Sequence, residues 1–96
     1  MKPITTIAID DEPLALQLIT GYISKTPFLE MAGSFDNPLN AMEFIDNNPV
    51  DLIFLDIQMP DLNGTEFARI VKGNQLVVFT TAYPNYALEG FRLDAV

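Results

Sequence analysis

Short apolar runs alternate with helix-like segments along the whole chain, and this alternation is the strongest constraint on the fold. Asp51–Asp56 contains four consecutive apolar residues between two acids, which is typical of a strand buried on both faces of a sheet. Ile4–Asp10, Leu29–Phe35 and Leu76–Thr81 read as three further strands, the second nearer an edge. Strands that alternate with helices predict a parallel sheet with helices on both faces. We therefore predict an α/β fold, a doubly wound parallel sheet with about four βα units.

The segments between the predicted strands begin with residues suited to helix starts. Pro13 and Pro38 fit the first turn of the first two helices. Gly64–Lys72 and Pro84–Arg92 favour a third and a fourth helix. We expect the first helix to bury an apolar stripe at helical spacing. The stripe comprises Leu14, Leu18, Ile19, Tyr22 and Ile23.

Composition limits the functions open to this chain. Its 96 residues suit one domain, and 49% are hydrophobic, which is ample for a core. The net charge is −8, and the five basic residues form no cluster, so we expect no nucleic-acid binding by this domain. The chain has no cysteine and no apolar stretch of membrane-spanning length, which favours a cytoplasmic protein without a membrane segment. The absence of histidine excludes a histidine-based triad, an imidazole metal ligand and a phosphohistidine in this chain.

Acidic and hydroxyl residues follow three of the predicted strands. Asp10-Asp11-Glu12 ends the first strand, Asp56 the third, and Thr80-Thr81 the fourth. The carboxyl ends of parallel strands meet at one edge of the sheet, where α/β proteins place their ligands. Crowded carboxylates repel one another unless a cation is present, and Mg²⁺ prefers oxygen ligands. The sequence therefore predicts a hard-cation site suited to chemistry on an oxyanion.

Some neighbouring residues have ordinary structural explanations. Glu12 lies where the first turn of a helix favours an acid. Thr80 is expected to be structural. Asn63-Gly64 is a turn signal, and Gly64 would permit a positive φ there.

Three motifs stand at the ends of three predicted strands: Ile9–Pro13, Leu55–Gly64 and Phe79–Tyr83. Together they resemble the receiver domain of bacterial two-component response regulators. A narrower resemblance rests on Thr81–Tyr83, Tyr86–Phe91 and Asp94–Val96. These stretches resemble receivers of the LytTR (LytR/AlgR/AgrA) class, whose output is a separate C-terminal DNA-binding domain. The resemblance implies a flavodoxin-like (CheY-like) fold.

The resemblance assigns a role to each matching residue. Asp56 would be the phosphoacceptor, and Asp10 and Asp11 would position Mg²⁺ together with Asp56 and the backbone carbonyl of Gln58. Thr81 would be the switch hydroxyl. A sensor histidine kinase would supply the phosphoryl group, and the signal would pass to an output domain that regulates transcription.

The resemblance also implies that elements of the family lie beyond this chain. The family has an invariant lysine at the end of a fifth strand, in a 2-1-3-4-5 strand order, and Val96 precedes that place. We therefore expect residues 1–96 to be a receiver truncated before the fifth strand and helix and before the DNA-binding output domain. Slow phosphorylation would follow from the missing lysine. A homodimer or domain-swapped assembly through the edge at Leu76–Thr81 would follow from the missing strand.

Two other functions compete with a phospho-accepting receiver that performs no turnover catalysis of its own. One is a docking or dimerisation module that works without phosphorylation. The other is a magnesium-dependent phosphohydrolase of the haloacid dehalogenase type, which also uses a strand-end aspartate. Such hydrolases usually have a second aspartate two residues after the nucleophile, where this chain has Gln58.

Overall fold

A computed structural model describes residues 2–60 and 62–80 of the chain. In this part, four parallel strands form one sheet in the order β2-β1-β3-β4, with a helix after each of the first three strands. The predicted doubly wound parallel sheet is confirmed, and the order agrees with the first four positions expected. The predicted fourth helix, Pro84–Arg92, lies outside the described residues. The elements are β1 Ile4–Ile9, α1 Pro13–Ser24, β2 Leu29–Phe35, α2 Pro38–Asn47, β3 Leu52–Leu55, α3 Gly64–Val71 and β4 Leu76–Phe79.

Backbone hydrogen bonds continue one residue past the carboxyl ends of β1, β3 and β4. The Asp10 N–H donates to the carbonyl of Phe35, and the Asp56 N–H donates to that of Ile9, each at 3.0 Å. The Thr80 N–H donates to the carbonyl of Leu55 at the same distance. The first residue after each of these strands is therefore held by the neighbouring strand, which fixes where its side chain starts.

The main core lies between the sheet and the helices α2 and α3. Alternate residues of β1 and β3 enter it, as expected for strands whose side chains point to opposite faces in turn. Burying each large apolar side chain contributes about 1.5–3 kcal/mol, so this layer dominates the stability of the sheet. Its buried members are Ile7, Ile9, Ala41, Met42, Val50, Ile53, Leu55, Met59 and Ile70.

The second face of β3 is less covered than the sequence predicted. Ile53 and Leu55 are completely buried, but Leu52 and Phe54 are only half-buried. The helix on that face, α1, packs against β1 and β2. The prediction that β3 is buried on both faces is therefore wrong for one face in the described part of the fold.

The predicted apolar stripe of α1 is only partly correct. Leu14, Leu18 and Tyr22 are 69%, 60% and 63% exposed. Ile19 is half-buried and Ile23 is buried. The helix is apolar on more than one side, and the side that includes Ile19 and Ile23 faces the sheet.

The start of α3 differs from the predicted glycine turn. Asn63 is the N-cap residue in an extended conformation, and its side chain accepts a hydrogen bond from the Glu66 N–H. The Glu66 carboxylate in turn accepts one from the Asn63 N–H, which completes a capping box. Gly64 is the first helical residue and has no positive φ, so that prediction is wrong. The helix cap replaces the left-handed glycine.

No helix in the described ranges has the length and apolar character required to span a membrane.

Candidate metal centre

Three carboxyl groups meet at the carboxyl-terminal edge of the sheet. Asp10 and Asp11 follow β1, Asp56 follows β3, and one oxygen from each lies within 4.8 Å of the others. Asp10 and Asp56 are only 6% and 8% exposed, whereas Asp11 is exposed to solvent. Because β1 and β3 are neighbours in register, the fold brings these groups together as the sequence led us to expect.

Each buried carboxylate is oriented by a backbone N–H two residues further on. The Glu12 N–H donates to Asp10 Oδ1 at 2.9 Å, and the Gln58 N–H donates to Asp56 Oδ1 at 3.0 Å. This is the Asx-turn pattern, in which an aspartate holds the chain that follows it. Both loops therefore direct their carboxyl groups in the same way.

The environment of Asp10 disfavours its ionised form. Burial raises the pKa of the Asp10 carboxyl, and the neighbouring Asp56 and Asp11 raise it further. The hydrogen bond from the Glu12 N–H acts in the opposite direction. A bound cation would stabilise the ionised form against both its burial and its repulsion by Asp56 and Asp11.

The basic side chains of the described segment do not supply that positive charge. Within that segment, Arg69 of α3 forms an ion pair with Asp46 of α2 at 3.0 Å, away from the cluster. Both side chains are more than half exposed. The cluster offers carboxylate oxygens, which are the ligand atoms that a hard cation prefers. The chain has no histidine or cysteine to add nitrogen or sulfur ligands. Such a donor set fits Mg²⁺, Mn²⁺ or Ca²⁺ and is unsuited to softer metals.

The other residues singled out from sequence are placed less fully. Gln58 is exposed, and its N–H is the group that orients Asp56. The role of its carbonyl stays a prediction. Thr81 lies outside the described residues, although the position of Thr80 beside Leu55 shows that β4 ends at the same edge as the acids.

Two features of the site were not found from the sequence. The backbone amides of Glu12 and Gln58 hold the carboxylates, and the signal available was an aspartate two residues before each of them. The second feature is Met59, in the loop after Asp56. It is 3% exposed and lies in the core, so it anchors that loop to the sheet.

Comparison with known proteins identifies the family. The sequence model of the response regulator receiver domain matches residues 6–96. Protein MrkE of Klebsiella pneumoniae is 38% identical over 92 residues, which are 93% of this chain and 34% of that protein. Sensory transduction protein LytT of Bacillus anthracis is 39% identical over 93 residues, 94% of this chain and 38% of that protein. The chain thus spans little more than a third of the length of these relatives.

Solved structures agree with this assignment. The crystal structure of the response regulatory domain of MrkE is similar with a TM-score of 0.76 at 37% identity, over 96% of this chain and 78% of that one. A chain in the crystal structure of the P1 domain of CheA3 in complex with CheY6 from R. sphaeroides gives a TM-score of 0.80 at 25% identity, over 99% of this chain and 79% of that one. The resemblance stated from the motifs, including that to the LytTR class, and the CheY-like fold are therefore confirmed. The chain belongs to the response regulator receiver domain family of two-component systems.

Proposed function

We propose that Asp56 accepts a phosphoryl group, with Mg²⁺ held beside it by Asp10, Asp11 and Asp56. The observation that supports this most strongly is the trio of carboxyl oxygens within 4.8 Å of one another. Two of the three groups are buried and oriented by backbone amides, so they are set in place before any ligand arrives. Preorganised groups of this kind are what phosphoryl transfer requires, since catalysis there depends on positioning and on neutralising charge.

In the proposed transfer step, Asp56 is the nucleophile and a phosphohistidine is the donor. A carboxylate oxygen of Asp56 attacks the phosphorus of a phosphohistidine, an O–P bond forms, and the P–N bond to the histidine breaks. The imidazole leaves and the product is an aspartyl phosphate. Mg²⁺ would neutralise the charge on the phosphoryl oxygens. The Gln58 N–H on Asp56 Oδ1 keeps the attacking carboxylate in a fixed orientation.

These 96 residues cannot supply the phosphohistidine, because they contain no histidine. We propose a sensor histidine kinase as the partner that supplies it. The solved complex of the CheA3 P1 domain with CheY6 supports such a pairing for a similar fold.

The remaining assignments follow the family resemblance. The backbone carbonyl of Gln58 would complete the magnesium ligands, and Thr81 would be the hydroxyl that senses the phosphoryl group. The output is proposed to be transcription regulation through a LytTR domain of a longer protein. Relatives such as the transcriptional regulatory protein YpdB of Escherichia coli, of which this chain covers 38%, support that output. The domain is proposed to act as a signalling receiver without turnover catalysis of its own.

Self-association of the 96-residue chain is a separate part of the proposal. β4 is at one edge of the described sheet, and Leu76 on it is 67% exposed. Leu14 and Leu18 of α1 add further exposed apolar surface. We propose a homodimer or a domain-swapped assembly through this edge. Light scattering at high micromolar concentration tests this proposal, and a clean monomer would contradict it.

Intact-mass measurement after incubation with acetyl phosphate and Mg²⁺ tests the phosphoryl acceptor. The wild-type chain should gain the mass of one phosphoryl group slowly or incompletely, because these 96 residues do not include the family's lysine, and EDTA should prevent the gain. Asp56→Asn should show no gain. Asp36→Asn is the matched control, because Asp36 follows β2 at the same edge of the sheet and is exposed.

The outcomes separate the competing functions. Labelling that persists in Asp56→Asn would overturn the acceptor assignment. Repeated turnover of a small phosphoester by the wild-type chain, lost in Asp56→Asn, would indicate a hydrolase and contradict the receiver function.

A further inference from the structure

Asn63 and Gly64 form an exposed pair at the beginning of α3. Asn63 is the one asparagine of the sequence that is followed by glycine. A Cβ atom placed on Gly64 would meet nothing within 4 Å, so no other group crowds the place where a side chain would stand. Glycine also lacks the side chain that would hinder the approach of a neighbouring group.

The Gly64 nitrogen is chemically available as well as accessible. Gly64 is the first residue of the helix, and N–H groups in the first turn have no acceptor within the helix. The carboxamide of Asn63 is joined to the same nitrogen through its own backbone carbonyl carbon, so attack closes a five-membered ring. Asn63 already has an extended backbone, with ψ at 174°, outside the helix.

From this arrangement we infer that Asn63 is a site of spontaneous deamidation, at a rate controlled by the capping box of α3. The Gly64 nitrogen forms a bond to Cγ of Asn63 and gives up its proton, while the side-chain nitrogen takes up a proton and leaves as ammonia. Water then opens the cyclic imide at one of its two carbonyl groups. No oxidant, enzyme or other reactant is needed.

The two products have different consequences for α3. An aspartate at position 63 still caps the helix and adds one negative charge to a chain that already has a net charge of −8. An isoaspartate adds a carbon to the backbone and moves the side-chain oxygen away from the Glu66 N–H. The second product therefore breaks the capping box at the end of the loop that begins at Asp56.

The capping box restrains the reaction. Oδ1 of Asn63 accepts from the Glu66 N–H at 2.9 Å, and Oε1 of Glu66 accepts from the Asn63 N–H at 3.1 Å. The Asn63 side chain must leave the first of these bonds before Cγ can approach the Gly64 nitrogen. The Glu66 carboxylate makes the second bond, which holds the Asn63 backbone in the cap and so keeps the first bond in place. Removing this carboxylate should therefore loosen the cap and increase the rate.

Peptide mapping during incubation at mildly alkaline pH tests the inference. The wild-type peptide that contains Asn63 should be converted into two isomeric products of equal mass. Each is heavier than the starting peptide by the replacement of NH₂ with OH. Gly64→Ala should slow this by about tenfold or more, which corresponds to about 1.4 kcal/mol in the barrier. That variant should fold normally, since Gly64 has no positive φ and no close neighbour. Glu66→Ala should react several-fold faster than the wild type.

Other results would contradict either the site of deamidation or its control by the capping box. An unchanged wild-type peptide, an equal rate in Gly64→Ala, or conversion that maps to another asparagine would overturn the site. A rate in Glu66→Ala no higher than in the wild type would overturn the control by the capping box. Circular dichroism of the variants before incubation shows whether each is folded, so the rates are compared between native proteins.

Discussion

Replacing Asp10 by asparagine should stabilise the fold when no divalent cation is present. Asp10 is 6% exposed and lies with Asp56 and Asp11 in a cluster of like charge. Asn retains the Oδ1 atom that accepts from the Glu12 N–H and removes one negative charge. The substitution therefore relieves repulsion and desolvation while it keeps the hydrogen bond that orients the side chain.

The size of the effect follows from the separation of the carboxyl oxygens. The carboxylate oxygens of the cluster, one from each aspartate, lie at most 4.8 Å apart. Two unit charges at that distance repel by about 0.9 kcal/mol in bulk water and by about 3.5 kcal/mol at an effective dielectric constant of ~20. Asp10 and Asp56 are both buried and lie toward the higher value, whereas the pair with exposed Asp11 lies toward the lower one. We expect the free energy of unfolding to increase by about 1 to 3 kcal/mol. Each kcal/mol corresponds to about 4 to 8 °C in melting temperature for a domain of this size.

The pH dependence has a definite sign. The pKa of Asp10 is raised in the folded state above its ordinary value of 3.8, so the native state binds this proton more tightly than the unfolded state does. The contribution of Asp10 to stability is then greatest below the ordinary pKa and is lost as the pH rises through the raised one. The advantage of Asp10→Asn should therefore be largest at neutral pH and shrink in acid.

Urea unfolding followed by circular dichroism in EDTA measures this difference, with Asp36→Asn as the control for removing an exposed aspartate. A neutral or destabilising effect of Asp10→Asn at neutral pH would refute the reasoning about the cluster. So would an advantage that grows as the pH falls.

Three further predictions concern other parts of the fold and are tested by the same unfolding assay. Ile53→Ala should cost about 2–5 kcal/mol, because Ile53 is completely buried in the central strand β3. Leu39→Ala, at a side chain 64% exposed, should change stability by about 0.5 kcal/mol or less, and equal costs would contradict the assigned core. Asn63→Ala should cost about 1 kcal/mol through loss of the helix cap, whereas Asn63→Asp should be close to neutral. Arg69→Ala should cost less than about 1 kcal/mol, since its ion pair with Asp46 is more than half exposed, and a larger loss would show that this pair joins α2 and α3 more strongly than we expect.

Much of the secondary structure could be predicted because punctuating residues are frequent in this chain. Pro13 and Pro38 begin α1 and α2 as predicted, and β2 has the predicted bounds of Leu29–Phe35. The ends of β1, β3 and β4 fall one or two residues earlier than predicted. Asp10, Asp56 and Thr80 continue those strands in the sequence. In the structure each is the first residue after its strand, with its N–H still bonded to the neighbouring strand.

The orientation of α1 could not be predicted from spacing alone. Leu14, Leu18 and Tyr22 form a regular apolar stripe, yet they are exposed, while Ile19 and Ile23 face the sheet. Two apolar stripes on one helix satisfy the same periodicity, and tertiary packing decides which of them is buried.

The convergence of the site followed from topology, but its internal support did not. Placing Asp10 and Asp56 at the ends of adjacent parallel strands needed only the strand pattern. Every residue except proline has a backbone N–H, so the sequence signals these bonds only by an aspartate two residues before Glu12 and before Gln58. The role of Thr81 stays a prediction, since it lies beyond the described residues.

The most direct test of the central claim, that this cluster is a cation site, is the melting temperature with and without excess Mg²⁺. A cation that binds only the folded state raises its stability, so the wild-type chain should melt at a higher temperature with Mg²⁺. Asp11→Asn should remove this shift without harming the fold, because Asp11 is exposed, and Asp36→Asn should retain it. A wild-type melting temperature that does not respond to Mg²⁺, or an equal response in Asp11→Asn, would contradict the account.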